Sequence, residues 1–302
     1  MILTKVSFPG LGIGEFNLNP IAFELWNDFG IAWYALIITF GMIFAVSYVI
    51  FRAKKIGINS DVISDYAIFV IPFGIIGARL YYVFMKLEDF HTLKEVFDIR
   101  SGGLAIYGGI IAGTLTVFII SKIKKISFPA LGDCVVPGLI MAQAIGRWGN
   151  FMNVEAYGAV TKLPWRMCSP TIASELLSKN LIDAEQYASI VAGELGVHPT
   201  FLYESLWNVV GFILINLYFN RKRYDGQAIL LVFGWYGLGR LWIEGLRTDS
   251  LYLFNSGIRV SQLLAILIFA VCLSLLIYFR IKPPKSEKFY YNDPKKKKTG
   301  NK

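Results

Sequence analysis

Residues 31–51 read IAWYALIITFGMIFAVSYVIF, without one charged side chain, and this run decides the class of the fold. At about 1.5 Å of rise per residue, some 20 apolar positions cross a hydrocarbon core of about 30 Å. Leu104 to Ser121 and Val260 to Phe279 are equally free of charge. Composition agrees, with 55% hydrophobic residues, 17% charged residues and a mean hydropathy of +0.52. Working outward from these three, the apolar runs predict seven transmembrane helices, at 31–51, 63–86, 104–121, 130–151, 202–220, 227–244 and 260–280. The expected fold is all-α: a polytopic membrane helix bundle occupying residues 1–281 as one domain.

The loops orient it, because short cytoplasmic loops carry the excess of Lys and Arg. Arg52, Lys54 and Lys55 follow the first span, Lys122, Lys124 and Lys125 the third, Arg221, Lys222 and Arg223 the fifth, and a lysine-rich tail the seventh. Even-numbered exits are longer, and acids such as Glu88, Asp89, Glu95 and Asp98 balance their bases. The N-terminus is therefore expected outside and the C-terminus in the cytoplasm. The segment at about 153–200 becomes an external excursion too long for a connector, expected to be a small folded head. His91, in the loop after the second span, reads as a solvated surface residue.

Several function classes fall away. The net charge of +9 is concentrated in the tail, where eight lysines from Lys282 onward face Glu287 and Asp293. Residues 282–302 are expected to form a disordered basic cytoplasmic extension that anchors topology, and no nucleic-acid partner is implied. The first 30 residues lack the basic and apolar regions of a removable signal peptide. Cys134, Cys168 and Cys272 are scattered, so neither disulfides nor a metal site is expected. No internal repeat supports an inverted-repeat transporter. A last span without lysine excludes a retinal Schiff base, and two histidines in all leave little for an intramembrane protease.

Spans two, four and six each carry an arginine in the second half: Arg79, Arg147 and Arg240. Such a charge costs at least about 2.5–3.5 kcal/mol at bilayer depth, and usually faces a bundle interior with a function. On the orientation above they lie roughly 24, 25 and 20 Å from the cytoplasmic side of a core of about 30 Å, all toward the outer leaflet. Tyr34, Tyr107, Tyr203 and Glu204 lie near the outer ends of their own spans, His198 just before the fifth, and Asn150, Glu155 and Glu244 close by in sequence. Single arginines could snorkel and single tyrosines could form an interfacial belt. Three arginines at one depth point instead to a polyanionic ligand, since the guanidinium fork donates two parallel hydrogen bonds to phosphate. A one-sided charged layer makes a pocket, whereas a channel or transporter would need polar groups in the inner halves as well.

The stretch Gly146-Arg147-Trp148-Gly149-Asn150-Phe151-Met152-Asn153-Val154-Glu155-Ala156-Tyr157-Gly158 resembles the signature of the prolipoprotein diacylglyceryl transferase family. Four further segments agree in order: Trp33-Tyr34, Gly77-Ala78-Arg79-Leu80, His198-Pro199-Thr200-Phe201-Leu202-Tyr203-Glu204, and Tyr236-Gly237-Leu238-Gly239-Arg240 continuing to Glu244 and Arg247. The resemblance implies an enzyme of the bacterial inner membrane, with its active site facing the outer leaflet. It would move the diacylglyceryl group of phosphatidylglycerol onto the lipobox cysteine in a prolipoprotein signal peptide and release glycerol 1-phosphate. No cofactor, metal or obligate protein partner is implied. Carried over residue by residue, Arg147 and Arg240 contact the headgroup, and Asn150 and Glu155 orient it. Tyr34, Arg79, Gly158, His198, Tyr203, Glu204, Tyr236, Glu244 and Arg247 complete the expected substrate-binding set. Gly146, Gly149 and Gly158 suggest close backbone approach.

The family's third span usually presents a histidine, the base proposed for the substrate thiol, where this chain reads Gly102-Gly103-Leu104-Ala105-Ile106-Tyr107-Gly108-Gly109. A phenol with pKa near about 10 is a poor base at neutral pH. Three readings stay open: Tyr107 is the base with a lowered pKa, His198 or Glu204 takes that role, or Tyr107 hydrogen-bonds and polarises the reacting groups.

Overall fold

The computed structural model describes residues 3–24, 30–99, 102–248, 259–282 and 284. Among them, seven helices are long and apolar enough to cross a membrane. The chain opens with two hairpins, β1 (Thr4–Phe8) with β2 (Ile13–Leu18) and β3 (Ile21–Glu24) with β4 (Gly30–Ala32). The first two spanning helices follow, α1 (Trp33–Lys55) and α2 (Ser60–Met85), with a short α3 (Leu93–Phe97) before the next two, α4 (Ile106–Lys124) and α5 (Phe128–Met152). After β5 (Val160–Thr161), α6 (Pro170–Ser178), α7 (Ala184–Val191) and β6 (Gly196–Val197) come the last three spans, α8 (Thr200–Phe219), α9 (Gln227–Leu246) and α10 (Val260–Ile281). Every predicted span is present, with ends within about four residues of expectation, the usual error of sequence boundaries. The predicted basic tail lies outside the described residues except for Lys282 and Pro284.

The described residues fall into two compact units. One draws on Met1–Ala45, Val136–Arg223 and Gln227–Pro284, the other on Val46–Val135 and Tyr224–Gly226, so α1 and α5 contribute to both. In the second unit α2 packs on α4 through small residues. A Cβ at Gly77 would collide with Ala112, and one at Gly108 with the Gly77 carbonyl, so the backbones touch as at small-residue membrane interfaces. Further along the same pair of helices, Tyr66 and Ser121 hydroxyls share a 3.0 Å hydrogen bond and Lys124 pairs with Asp65 at 2.7 Å.

In the first unit, α9 packs against α8 and α10, and a small folded head sits at one end. The head is larger than its sequence suggested, because β1 belongs to it: Ser7 and Cys168 exchange backbone hydrogen bonds at 2.9 Å, and Met167 pairs with Val197. Val6 and Leu18 join Tyr157, Ile172, Leu176, Ile190 and Phe201 in one apolar core. The two hairpins were not expected. Their alternation, Val6 and Phe8 against Phe16 and Leu18 around Pro9-Gly10, is a strand signal overshadowed by the spans that follow.

Candidate active site

Five of the expected residues meet in the first unit as one buried ionic cluster. Glu204, on the second turn of α8 and 4% exposed, is its hub. Arg147 Nη2, from the last turns of α5, donates to Glu204 Oε2 at 2.6 Å. Arg240 Nη1, from α9, donates to Oε1 at 3.1 Å, and Arg247 Nη1 reaches Oε1 at 3.5 Å. Arg240 Nη2 pairs with Glu244 Oε2 at 2.7 Å, one helical turn on. Three guanidinium groups thus share two carboxylates in a low-dielectric place, where electrostatic interactions with an anion are strengthened.

A chain of amides and carboxylates extends the cluster. Arg147 Nη1 donates to Asn150 Oδ1 at 3.3 Å, and Asn150 Nδ2 donates to Glu155 Oε1 at 2.7 Å. The cation on one side and the anion on the other fix which way the amide points. Glu155 is presented by a strained turn, since Val154 and Ala156 on either side have φ of 53° and 56°. A left-handed β-branched residue is a genuine outlier, with a cost of order 1–3 kcal/mol that clusters at functional sites. Thr200 Oγ1 binds the Ala156 carbonyl and holds the turn from α8.

Gly158 and its neighbours lock the turn to the cluster. Gly158 N–H donates to the His198 carbonyl at 2.9 Å and Ala159 N–H to that of Leu246 at 2.7 Å, next to Arg247. A side chain at Gly158 would strike both His198 and Leu246. Trp165 Nε1 donates to Tyr203 Oη at 2.6 Å, and that hydroxyl lies 3.1 Å from His198 Nδ1. The indole can only donate, so all three groups are satisfied when the phenol O–H donates a hydrogen bond to Nδ1. Burial pushes the His198 imidazole below its ordinary pKa, because desolvation disfavours the charged ring. Tyr34 lies against Gly149, whose missing Cβ admits the ring, and Tyr236 is one turn before Arg240 on α9.

Beside the cluster, Trp33 and Phe40 of α1, Met141 and Trp148 of α5, and Val209 of α8 line an apolar groove of about 370 Å³. Trp148 Nε1 donates to Ser205 Oγ at 3.2 Å, which itself donates to the Ala144 carbonyl. Sequence reasoning missed Trp165, Ser205, Ser261 and Arg259. The last two hold Glu244 from α10: Ser261 Oγ donates to its carboxylate at 2.6 Å and Arg259 to its carbonyl. An arginine at the mouth of the last span was the available signal.

Two expected residues belong to the second unit. Tyr107 is on the first turn of α4, 53% exposed, with its ring 6.4 Å from that of Tyr81. Arg79, 7% exposed, donates to four backbone carbonyls: Nε to Val96 at 2.9 Å, Nη2 to Glu95 at 2.6 Å, and Nη1 to Gly102 and Gly103 at 2.7 and 3.0 Å. Among the described residues no group of three or more metal-ligating side chains comes together.

Comparison with known proteins follows the same residues. The family profile described as prolipoprotein diacylglyceryl transferase matches residues 20–278. Phosphatidylglycerol–prolipoprotein diacylglyceryl transferase 1 of Clostridium perfringens is 46% identical over 252 residues, 83% of this chain and 90% of that protein. The correspondingly named protein of Listeria welshimeri is 40% identical over 94% of this chain and 97% of its own, and that of Enterococcus faecalis 40% over 93% and 97%. By signature, span pattern and these relatives, the chain belongs to the prolipoprotein diacylglyceryl transferase family.

Proposed function

We propose that this protein transfers the diacylglyceryl group of phosphatidylglycerol to the cysteine thiol of a prolipoprotein, the first step of lipoprotein maturation. The observation that carries this reading is the buried cluster of three arginines sharing two glutamates in a membrane-spanning member of this family. In the reaction a carbon–sulfur bond forms at the glycerol carbon bearing the phosphate ester, and the carbon–oxygen bond to phosphate breaks. The thiol proton leaves to a base and glycerol 1-phosphate departs with the bonding pair. Arg147 and Arg240 bind the phosphate and neutralise the charge that grows on it, the kind of fixed electrostatic stabilisation that dominates such steps. Asn150 and Glu155 orient Arg147, Glu204 and Glu244 hold the guanidinium planes, and Arg247 adds charge. Tyr34, Gly158, Tyr203 and Tyr236 shape the headgroup site, and the apolar groove suits an acyl chain.

The acceptor is the lipobox cysteine of a signal peptide, and Tyr107 hydrogen-bonds or polarises the reacting groups, with His198 or Glu204 the alternative base. The site faces the outer leaflet of the bacterial inner membrane, the N-terminus is outside and the C-terminus cytoplasmic. The basic residues ending α1, α4 and α10 support that orientation. Reporter fusions after Lys55, Lys125 and Arg223 are expected in the cytoplasm and fusions at Asp89 and Glu185 outside; an inversion overturns the outer-leaflet placement. The function itself is tested with purified protein, phosphatidylglycerol vesicles and a lipobox peptide. Glycerol 1-phosphate and lipidated peptide should appear in equal amounts, and a peptide left unmodified would defeat the assignment.

A further inference from the structure

The connection between α2 and α4 folds back along the helix it has just left. Arg79 lies six residues before the end of α2 at Met85, about 9 Å down the helix axis. Its guanidinium nevertheless binds the carbonyls of Glu95, Val96, Gly102 and Gly103. The Ala105 N–H donates to the Ala78 carbonyl at 3.0 Å. Phe90 packs edge-on against Tyr82, with ring centroids 6.2 Å apart, and the Arg79 guanidinium sits 5.2 Å from the Phe90 ring. Gly103, at φ 75°, lies where a Cβ would collide with Arg79 and Tyr82. The segment is therefore fastened to the last two turns of α2 and stays at their level.

Its other side is apolar and open. Leu93 is 78% and Phe97 76% exposed, and Leu87 and Ile99 are exposed as well. Leu80, Phe84 and Met85 of α2 and Ile106 and Ile110 of α4, on the two helices that flank the segment, are exposed apolar residues too. Local order is built in: Thr92 caps α3 by accepting from the Glu95 N–H, and the Glu95 carboxylate accepts from the His91 N–H at 3.0 Å and the Thr92 hydroxyl at 2.9 Å.

We infer that residues 87–99 form an interfacial arm whose apolar face, Leu87, Leu93, Phe97 and Ile99, lies in the headgroup–acyl boundary of the bilayer, pinned at that depth by Arg79. Its partner is the lipid surface. From Lys86 to Asp98 the arm carries two lysines against four acids, so attraction to anionic lipid cannot hold it and apolar burial must. Arg79 is on this account a positioning residue, and the arm is present whatever reaction the arginine cluster performs.

The test uses the full chain in nanodiscs with an environment-sensitive probe on Phe97→Cys or Leu93→Cys, the three native cysteines being buried. Glu185→Cys in the head serves as the reference. Both arm probes should emit to the blue of the reference, resist aqueous iodide, and be quenched more by lipids spin-labelled high on the acyl chain than by lipids labelled near its end. The result should be the same in zwitterionic and anionic nanodiscs. Arg79→Ala should restore iodide access at Phe97→Cys. Iodide quenching equal to the reference in the otherwise unaltered chain overturns the arm, as does shielding from both iodide and lipid quenchers, which would mean a protein partner. Those two readings decide the matter even if Arg79→Ala does not fold.

Discussion

Arg79 and Arg147 both occur in the second half of a membrane span, and each is held differently. Arg79 spends its donors on four backbone carbonyls and stacks on Phe90. Arg147 shares the Glu204 carboxylate with Arg240 and Arg247. Carbonyls of a fixed loop stay where the backbone puts them, so an arginine saturated by them is a fastening. A carboxylate presents oxygens much as a phosphate does, so an arginine that binds one can turn the same fork to the other. Position along a span alone did not distinguish the two; the chemistry of the acceptors does.

The sharpest way to break this contrast is to remove the forks. Arg147→Ala or Arg240→Ala should lower transfer by at least about 10²–10³-fold, the size of losing one preorganised donor to a developing anion. Folded protein should remain in the membrane, and Lys should rescue poorly because it has no planar fork. Full activity of Arg147→Ala in the vesicle assay would end the headgroup assignment.

Glu204 tests the hub. Glu204→Gln keeps the shape and removes the anion that three arginines share. Removing one partner of a buried ion pair costs about 3–5 kcal/mol. We expect a lower thermal midpoint together with loss of transfer, because the guanidinium groups then repel one another. An unchanged midpoint would show that the arginines find other counter-charges.

The spans, and the arginines inside three of them, were legible in sequence because charge-free runs and lone charges inside them are strong signals. The ionic hub was legible only in part. Glu204 and Arg247 stood in recognisable segments, but nothing in the order of residues says that one carboxylate is shared by arginines from three places in the chain. The fastening role of Arg79 could not be read, since its partners are main-chain carbonyls, which every residue has. Ser261 and Arg259 escaped because the last span looked like plain lipid-facing helix. The head was underestimated because β1 precedes it by some 150 residues and joins through backbone bonds to Cys168.

Tyr107 asks whether the second unit carries chemistry besides its fastening. Tyr107→Phe should lower kcat by about 10- to 1000-fold if the hydroxyl polarises or hydrogen-bonds the reacting groups. Tyr107→His should retain or raise activity, with a rate that climbs as imidazole loses its proton between about pH 6 and 7. Unaltered kinetics in Tyr107→Phe would make the hydroxyl idle and turn attention to His198, whose pKa burial lowers.

The smallest effect is expected where α8 and α9 are clasped below the cluster. Trp207 and Trp235 stack with centroids 4.3 Å apart, and each indole N–H donates to the other's carbonyl, at 3.0 and 2.9 Å. Each ring fits only because the facing helix has a glycine, Gly239 under Trp207 and Gly211 under Trp235. A tryptophan followed four residues later by glycine thus occurs in both spans, a repeated signal that the sequence does offer. The clasp sets the register of the two helices, and Glu204 and Arg240 lie within about two turns of it. Trp207→Phe keeps the stacking and removes one hydrogen bond, worth about 1 kcal/mol. We expect a small drop in thermal midpoint and a modest fall in kcat/KM, whereas Gly239→Ala, which drives a methyl into the indole, should cost more, about 1–3 kcal/mol. If Trp207→Phe lowers stability and leaves kcat/KM untouched, the ion pairs hold their own register and the clasp serves the fold alone.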